Sequence, residues 1–142
     1  MRFCAVSALL LLAALATPAT AQLRIGDDPG GELGAYLLKF SQWRKSGERV
    51  VIDGRCLSAC TLVLGLLPPP RICITSRAVL GFHATWTANA FGMRQLSSWS
   101  TQTMLQMFPE AVRQWIRRHG GLSNRMIYLT GSELAALYPS CR

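Results

Sequence analysis

Three short segments carry residue types suited to acyl-transfer chemistry. Gly30-Gly31 follows Asp28-Pro29, Ser58 sits in Arg55-Cys56-Leu57-Ser58-Ala59-Cys60-Thr61, and His83 closes Val79-Leu80-Gly81-Phe82. Paired glycine permits a tight turn and bares backbone N–H groups to a ligand or an oxyanion. A serine at the start of a buried helix has free N–H donors and the positive end of the helix dipole beside it, which suits a nucleophile or an anion-binding hydroxyl. The same position also suits an ordinary helix-capping serine. His83 reads either as a core histidine with a satisfied hydrogen bond or as a general base near neutral pH. The other histidine, His119, lies in Arg117-Arg118-His119-Gly120 and reads as a helix C-terminal residue favoured by the dipole. Several familiar signatures are missing. Ser58 is not in a Gly-x-Ser-x-Gly elbow, and Gly30-Gly31 lacks both the Gly-Lys-Ser/Thr of a phosphate loop and the third glycine of a dinucleotide fingerprint.

The elements that must position these residues follow from periodicity. Leu23 to Ile25 reads as a short strand, ended by Asp27-Asp28-Pro29-Gly30-Gly31. Leu33, Tyr36, Leu37 and Phe40 recur at helical spacing from about Glu32, and Gly47 ends that helix. Arg49 to Ile52 is a β-branched run and reads as a buried strand, with Asp53-Gly54-Arg55 as a turn. Ser58 to Leu67 reads as a core helix stopped by Pro68-Pro69-Pro70. Ile72–Thr75 and Ala78–Phe82 read as strands. Thr85–Ser97 is mixed, with turn signals at Asn89 and Gly92. Helices are expected over Thr101–Met107, from Pro109-Glu110 to Arg118, and over Ser132–Tyr138 with Ser132 as its cap. Leu122–Leu129 is either helical or extended. The alternation predicts an α/β fold with a mainly parallel sheet and outer helices in a single domain, residues 22–142. Ligands bind at strand C-termini in such sheets, where the glycine pair, Ser58 and His83 all fall.

The start of the chain bounds the setting. Arg2, an apolar run of 14 residues from Phe3 to Ala16, and Ala19-Thr20-Ala21 have the layout of a secretory signal cleaved before Gln22. The run is short of the roughly 20 residues a membrane-crossing helix needs. A periplasmic or secreted location is therefore expected, and Cys4 leaves with the signal. Cys56, Cys60, Cys73 and Cys141 remain, an even set that suggests two disulfides with three pairings open. No metal site or cofactor is expected, because the cysteines lack zinc-ligand spacing and histidine is scarce. Without Arg2, 14 Lys/Arg face 7 Asp/Glu, a formal charge of +7. For an exported chain this points away from nucleic acid. It favours a solvated basic surface with some attraction to anionic membrane.

Asp28-Pro29-Gly30-Gly31, Cys56-Leu57-Ser58-Ala59-Cys60-Thr61 and Leu80-Gly81-Phe82-His83 together resemble the ClpP/crotonase superfamily, specifically its small exported ClpP-like proteins. Their order matches the oxyanion glycines, nucleophile and base of Clp-type serine peptidases, and the 25-residue step from Ser58 to His83 suits that family. The likeness covers Leu23 to about Thr85. It implies a reduced ββα spiral, with Ser58 as nucleophile and His83 as base. The N–H of Gly31, with that of Ala59, would form the oxyanion hole, and Gly30 would shape the turn. The substrate implied is a peptide or a small ester or amide.

The sequence also departs from that pattern. Only Glu110 and Glu133 follow His83 as acids. Glu110 reads as a first-turn helix acid. Glu133 is the candidate orienting acid, beside the alternatives of a bare Ser–His dyad or a backbone carbonyl. No ring-building handle helix is recognisable, so an oligomer would not be a Clp-type ring. Cys56 and Cys60 flank Ser58 and are expected to pair with Cys141 and Cys73, since a direct bond across a helix start calls for awkward geometry. Two readings result: an exported serine hydrolase, or a catalytically inactive binding or structural protein on the same fold. The late aromatics Trp86, Phe91, Trp99, Phe108 and Trp115 read as core or subunit-contact residues. A crotonase-type acyl-CoA enzyme is disfavoured, since CoA is not expected outside the cytoplasm.

Overall fold

The computed structural model describes residues 21–142, so the signal read from the first 21 residues lies, but for Ala21, outside the described part. The strands are β1 (Gln22–Ile25), β2 (Arg49–Ile52), β3 (Arg55–Leu57), β4 (Ile72–Ile74), β5 (Val79–Phe82), β6 (Trp86–Ala88), β7 (Arg94–Leu96) and β8 (Ile127–Thr130). The helices are α1 (Leu33–Ser46), α2 (Val63–Leu66), α3 (Ser98–Met107), α4 (Glu110–Arg118) and α5 (Gly131–Ala135). Short 3-10 turns cover Ser58–Leu62 and Pro69–Arg71.

The fold is mixed α/β, built on small sheets. The first sheet, β1-β2-β4, is wholly parallel. The second, β3-β5-β8, pairs β3 with β5 in parallel and β5 with β8 antiparallel. The third is the antiparallel hairpin β6–β7. The expected single, mainly parallel sheet is thus divided. The reason lies in the short links after β1, β2 and β4. Each strand of the first sheet bends within a few residues into the second, so neither sheet grows wide. Asp28 extends this pattern: it bridges Cys56 in parallel, its N–H donates to Arg55 O, and its carbonyl accepts from Leu57 N–H. The second sheet therefore runs Asp28, β3, β5, β8.

Helical periodicity gave α1 and α4 correctly because each has an unambiguous stop. Gly47 ends α1 in the left-handed region at φ 78°, and Glu32 caps its start. Pro109 precedes α4 and His119 closes it, as the dipole argument expects. In α4 the first-turn acid Glu110 is held at a pKa of about 2 by hydrogen bonds from Arg113, Arg117 and Gln114. The core lies between the sheets and helices. Phe40, Val50, Ile52, Leu62, Leu64, Ile72 and Leu80 are fully buried. Phe82 meets Phe108 edge-on at 5.4 Å and Trp115 at 5.8 Å. Phe108 and Trp115 are core residues as expected, whereas Phe91 and Trp99 are among the most exposed apolar side chains. Among the described residues no helix is long and apolar enough to cross a membrane.

All four described cysteines pair, but not as expected. The bonds are Cys56–Cys60 and Cys73–Cys141. The chain does not enter a regular helix after Leu57. It turns through a left-handed residue into a 3-10 segment, and this brings the Cys56 and Cys60 Cα atoms to 5.3 Å, within disulfide range. Cys141 is aligned with Cys73 by the tail, where Ile74 N–H donates to Pro139 O and Cys141 N–H to Ile74 O. The Cys73–Cys141 bond spans 68 residues. On chain-entropy grounds, Cys73→Ser with Cys141→Ser costs about 4 kcal/mol. Chemical denaturation of the double variant checks this, with a lower midpoint expected and a steeper slope, because the unfolded chain freed of the cross-link exposes more surface.

Candidate active site

The second sheet brings the three chemical segments together. Asp28, β3 and β5 are parallel neighbours, so their C-terminal ends lie side by side about 4.8 Å apart. Gly30-Gly31 follows the first, Ser58 the second and His83 the third. Gly30, Gly31, Ser58, Ala59 and His83 all line one cavity of about 830 Å³.

Ser58 is not a helix cap. Leu57 holds that place, and the Ser58 hydroxyl has no hydrogen-bond partner among the described residues. It is the only non-glycine residue in the described chain with positive φ, at 55°. A left-handed L-residue costs roughly 1–2 kcal/mol. Such strain persists only where the surroundings over-determine it. Here the Cys56–Cys60 bond closes the chain around Ser58, and Thr61 Oγ1 donates to Ser58 O at 2.7 Å. The result is a sharp turn from strand β3 into the 3-10 segment, with Ser58 in the cavity wall.

Gly30 packs directly beneath this turn, with φ 80°. A Cβ there would lie 2.4 Å from Leu57 O and 2.7 Å from Ser58 Cβ. Gly31 and Ala59 N–H groups donate to no acceptor among the described residues. Both residues line the cavity with Ser58.

His83 is oriented by a backbone carbonyl. Its Nδ1 lies 2.6 Å from Ala84 O, and donation along this bond leaves Nε2 as the acceptor in the neutral ring. The Ala84 N–H donates in turn to Ser123 O at 2.7 Å, which fixes the segment. Ser58 Oγ and the His83 ring line the same cavity and share no hydrogen bond. Glu133 is not at this site. Its Oε1 lies 3.5 Å from His119 Nε2. Antiparallel pairing explains the displacement: Thr130, which leads into α5, sits opposite Val79 at the far end of β5 from His83. Glu133 as the acid orienting His83 is accordingly set aside, in favour of the carbonyl.

Asp28 is the residue that sequence reasoning left without a role. Its Oδ1 accepts from Gly30 N–H at 2.9 Å and from Tyr36 OH, and Lys39 Nζ lies 3.4 Å from Oδ2. The carboxylate thus holds the glycine turn against α1. The sequence signal was an aspartate two residues before the glycine, the spacing of an Asx turn. Partial burial disfavours ionised Asp28, but the bonds from Tyr36 and Gly30, and the Lys39 charge, outweigh it and lower the pKa. The depressed value means that Asp28 stabilises the fold above the unfolded pKa near 3.8, and that this contribution is lost as pH falls through the lower folded value. Thermal midpoints between pH 5 and pH 2 should therefore fall less steeply in Asp28→Asn than in the wild type.

Trp86 and Arg94, on the β6–β7 hairpin, line the same cavity as Ser58 and were not singled out as site residues from sequence. Among the described residues no cluster of metal-binding side chains occurs. No family model matches the chain, and no curated protein matches it.

Proposed function

We propose that the protein is a small exported serine hydrolase that cleaves a peptide, amide or ester bond, on a reduced ClpP/crotonase-type spiral. The observation that carries this reading is the strained Ser58, set with Gly31, Ala59 and His83 around one cavity. In the reaction, Ser58 Oγ attacks the substrate carbonyl carbon and its proton passes to His83 Nε2. Gly31 and Ala59 N–H donate to the oxyanion. Collapse breaks the bond to the leaving group, which takes the proton from His83. Water, activated by the same nitrogen, then releases the acid and frees Ser58. The spiral is supported by the way three successive chain turns each feed both parallel layers. Export is supported by the two disulfides, which suit an oxidising compartment. The formal charge, +8 for the whole chain, is compatible with weak attraction to anionic membrane.

The second reading, a non-catalytic binding domain, draws on two observations: Ser58 Oγ and the His83 ring share no hydrogen bond, and no carboxylate reaches His83. Turnover of p-nitrophenyl butyrate by the oxidised protein separates the two. Hydrolysis abolished by Ser58→Ala supports the hydrolase. Equal rates in both proteins would reject it.

A further inference from the structure

The cavity holds one charged group of each sign, and the two differ in what already binds them. Two charged side chains line it, Glu32 and Arg94. Glu32 is already engaged, since its carboxylate accepts from Gly34 N–H at 2.8 Å and Ala35 N–H at 2.7 Å to cap α1. Arg94 pairs with no carboxylate among the described residues. The sequence from Gly54 to Pro109 contains no Asp or Glu at all, so no neighbour along this stretch can neutralise it.

Arg94 is also positioned. Ala88 stands directly opposite Arg94 in the hairpin, and Trp86 opposite Leu96. Residues two apart on a strand share a face, so Trp86, Ala88, Arg94 and Leu96 present one surface. The guanidinium carbon lies 4.0 Å from the centroid of the Trp86 ring. The ring holds the guanidinium in place at this distance, and the Arg94 side chain donates no hydrogen bond to another described residue. Arg94, Trp86 and His83 also line a second cavity of about 510 Å³, together with Leu96 and Met126. A group held in either cavity would therefore have Arg94 and His83 in its walls. Leu33, Ala59 and Met104 supply apolar walls on the Ser58 side.

We infer that Arg94 selects substrates bearing a carboxylate on the acyl or the leaving-group side of the scissile bond. The inference rests on the hydrolase reading of the same cavity. An Arg–carboxylate contact of this kind is worth about tenfold in affinity.

The test has a catalytic arm and a binding arm. In the first, mono-p-nitrophenyl glutarate is compared with p-nitrophenyl butyrate, and meta-carboxyphenyl butyrate with phenyl butyrate. The first pair reports a carboxylate on the acyl side, the second on the leaving-group side. A kcat/KM ratio of about ten for one pair is expected, falling to about one in Arg94→Gln, with Arg94→Lys between the two. In the second arm, Ser58→Ala protein is titrated with glutaric acid monoanilide and with butyranilide, read by tryptophan fluorescence. The anionic anilide should bind about tenfold tighter, and Arg94→Gln should erase the difference. Equal affinity for the two anilides, no detectable binding of the anionic one, or a preference that survives in folded Arg94→Gln would each overturn the inference. Preferential binding without Ser58-dependent turnover would uphold Arg94 and reject the hydrolase reading alone.

Discussion

His83→Ala is expected to lower kcat/KM for p-nitrophenyl butyrate by about 10³-fold, and Ser58→Ala to lower it at least as far. The two effects should not add. Serine and histidine act on one proton, so the double variant should fall no further than Ser58→Ala, to whatever the oxyanion donors alone supply. The orienting group matters to this expectation. A carboxylate would stabilise the imidazolium as well as fix the tautomer, whereas the Ala84 carbonyl fixes the tautomer with a neutral dipole only. Turnover on activated esters is therefore expected to exceed turnover on amides, where the leaving amine needs the proton that His83 carries. Steady-state rates on matched ester and amide substrates check the ranking, and circular dichroism confirms that each variant is folded.

The second large effect is expected at Gly30. Gly30→Ala would place a methyl group 2.4 Å from Leu57 O and force an L-residue to φ 80°. The backbone term and the overlap together should destabilise the protein by roughly 2–5 kcal/mol. Activity should be lost even where the variant folds, because the colliding atoms belong to the turn that presents Ser58. Its neighbour supplies the control. A methyl group at Gly31 would meet only the Tyr36 ring, at 3.5 Å, an ordinary contact. Gly31→Ala should change stability by less than about 1 kcal/mol. Denaturation midpoints of the two variants, measured side by side, check the contrast. Similar losses for both would contradict the packing of Gly30 under the Ser58 turn.

The parts of this account that were legible in the sequence are those fixed by local chemistry. The glycine pair, the serine and the histidine stood out by residue type, and Gly47 and Pro109 marked helix ends. Strand ends could be located because Arg49–Ile52 and Val79–Phe82 are apolar runs bounded by turns. The missing parts depend on contacts that no local pattern encodes. Strand β3 is three residues long and follows a turn directly, so Asp53-Gly54-Arg55 read as a turn alone. The β6–β7 hairpin has exposed strands only three residues long, too short for alternation to stand out. Its loop is held by Asn89, whose Oδ1 accepts from Phe91 and Met93 N–H, which fits the turn signal seen there. The antiparallel direction of β8 moved Glu133 to the wrong end of β5 for a catalytic acid. The disulfide pairing followed from a left-handed Ser58, and a serine in that conformation has no sequence signature. The strain that hid the Cys56–Cys60 bond is also the feature that most sets Ser58 apart from an ordinary capping serine.

The most direct test of that feature is covalent. Oxidised, folded protein is treated with a fluorophosphonate, and the adduct is located by intact mass and peptide mapping. The hydrolase account predicts one adduct, on Ser58, whose formation is strongly slowed in His83→Ala. An unmodified Ser58 in protein with both disulfides formed, or labelling indifferent to His83, would contradict it.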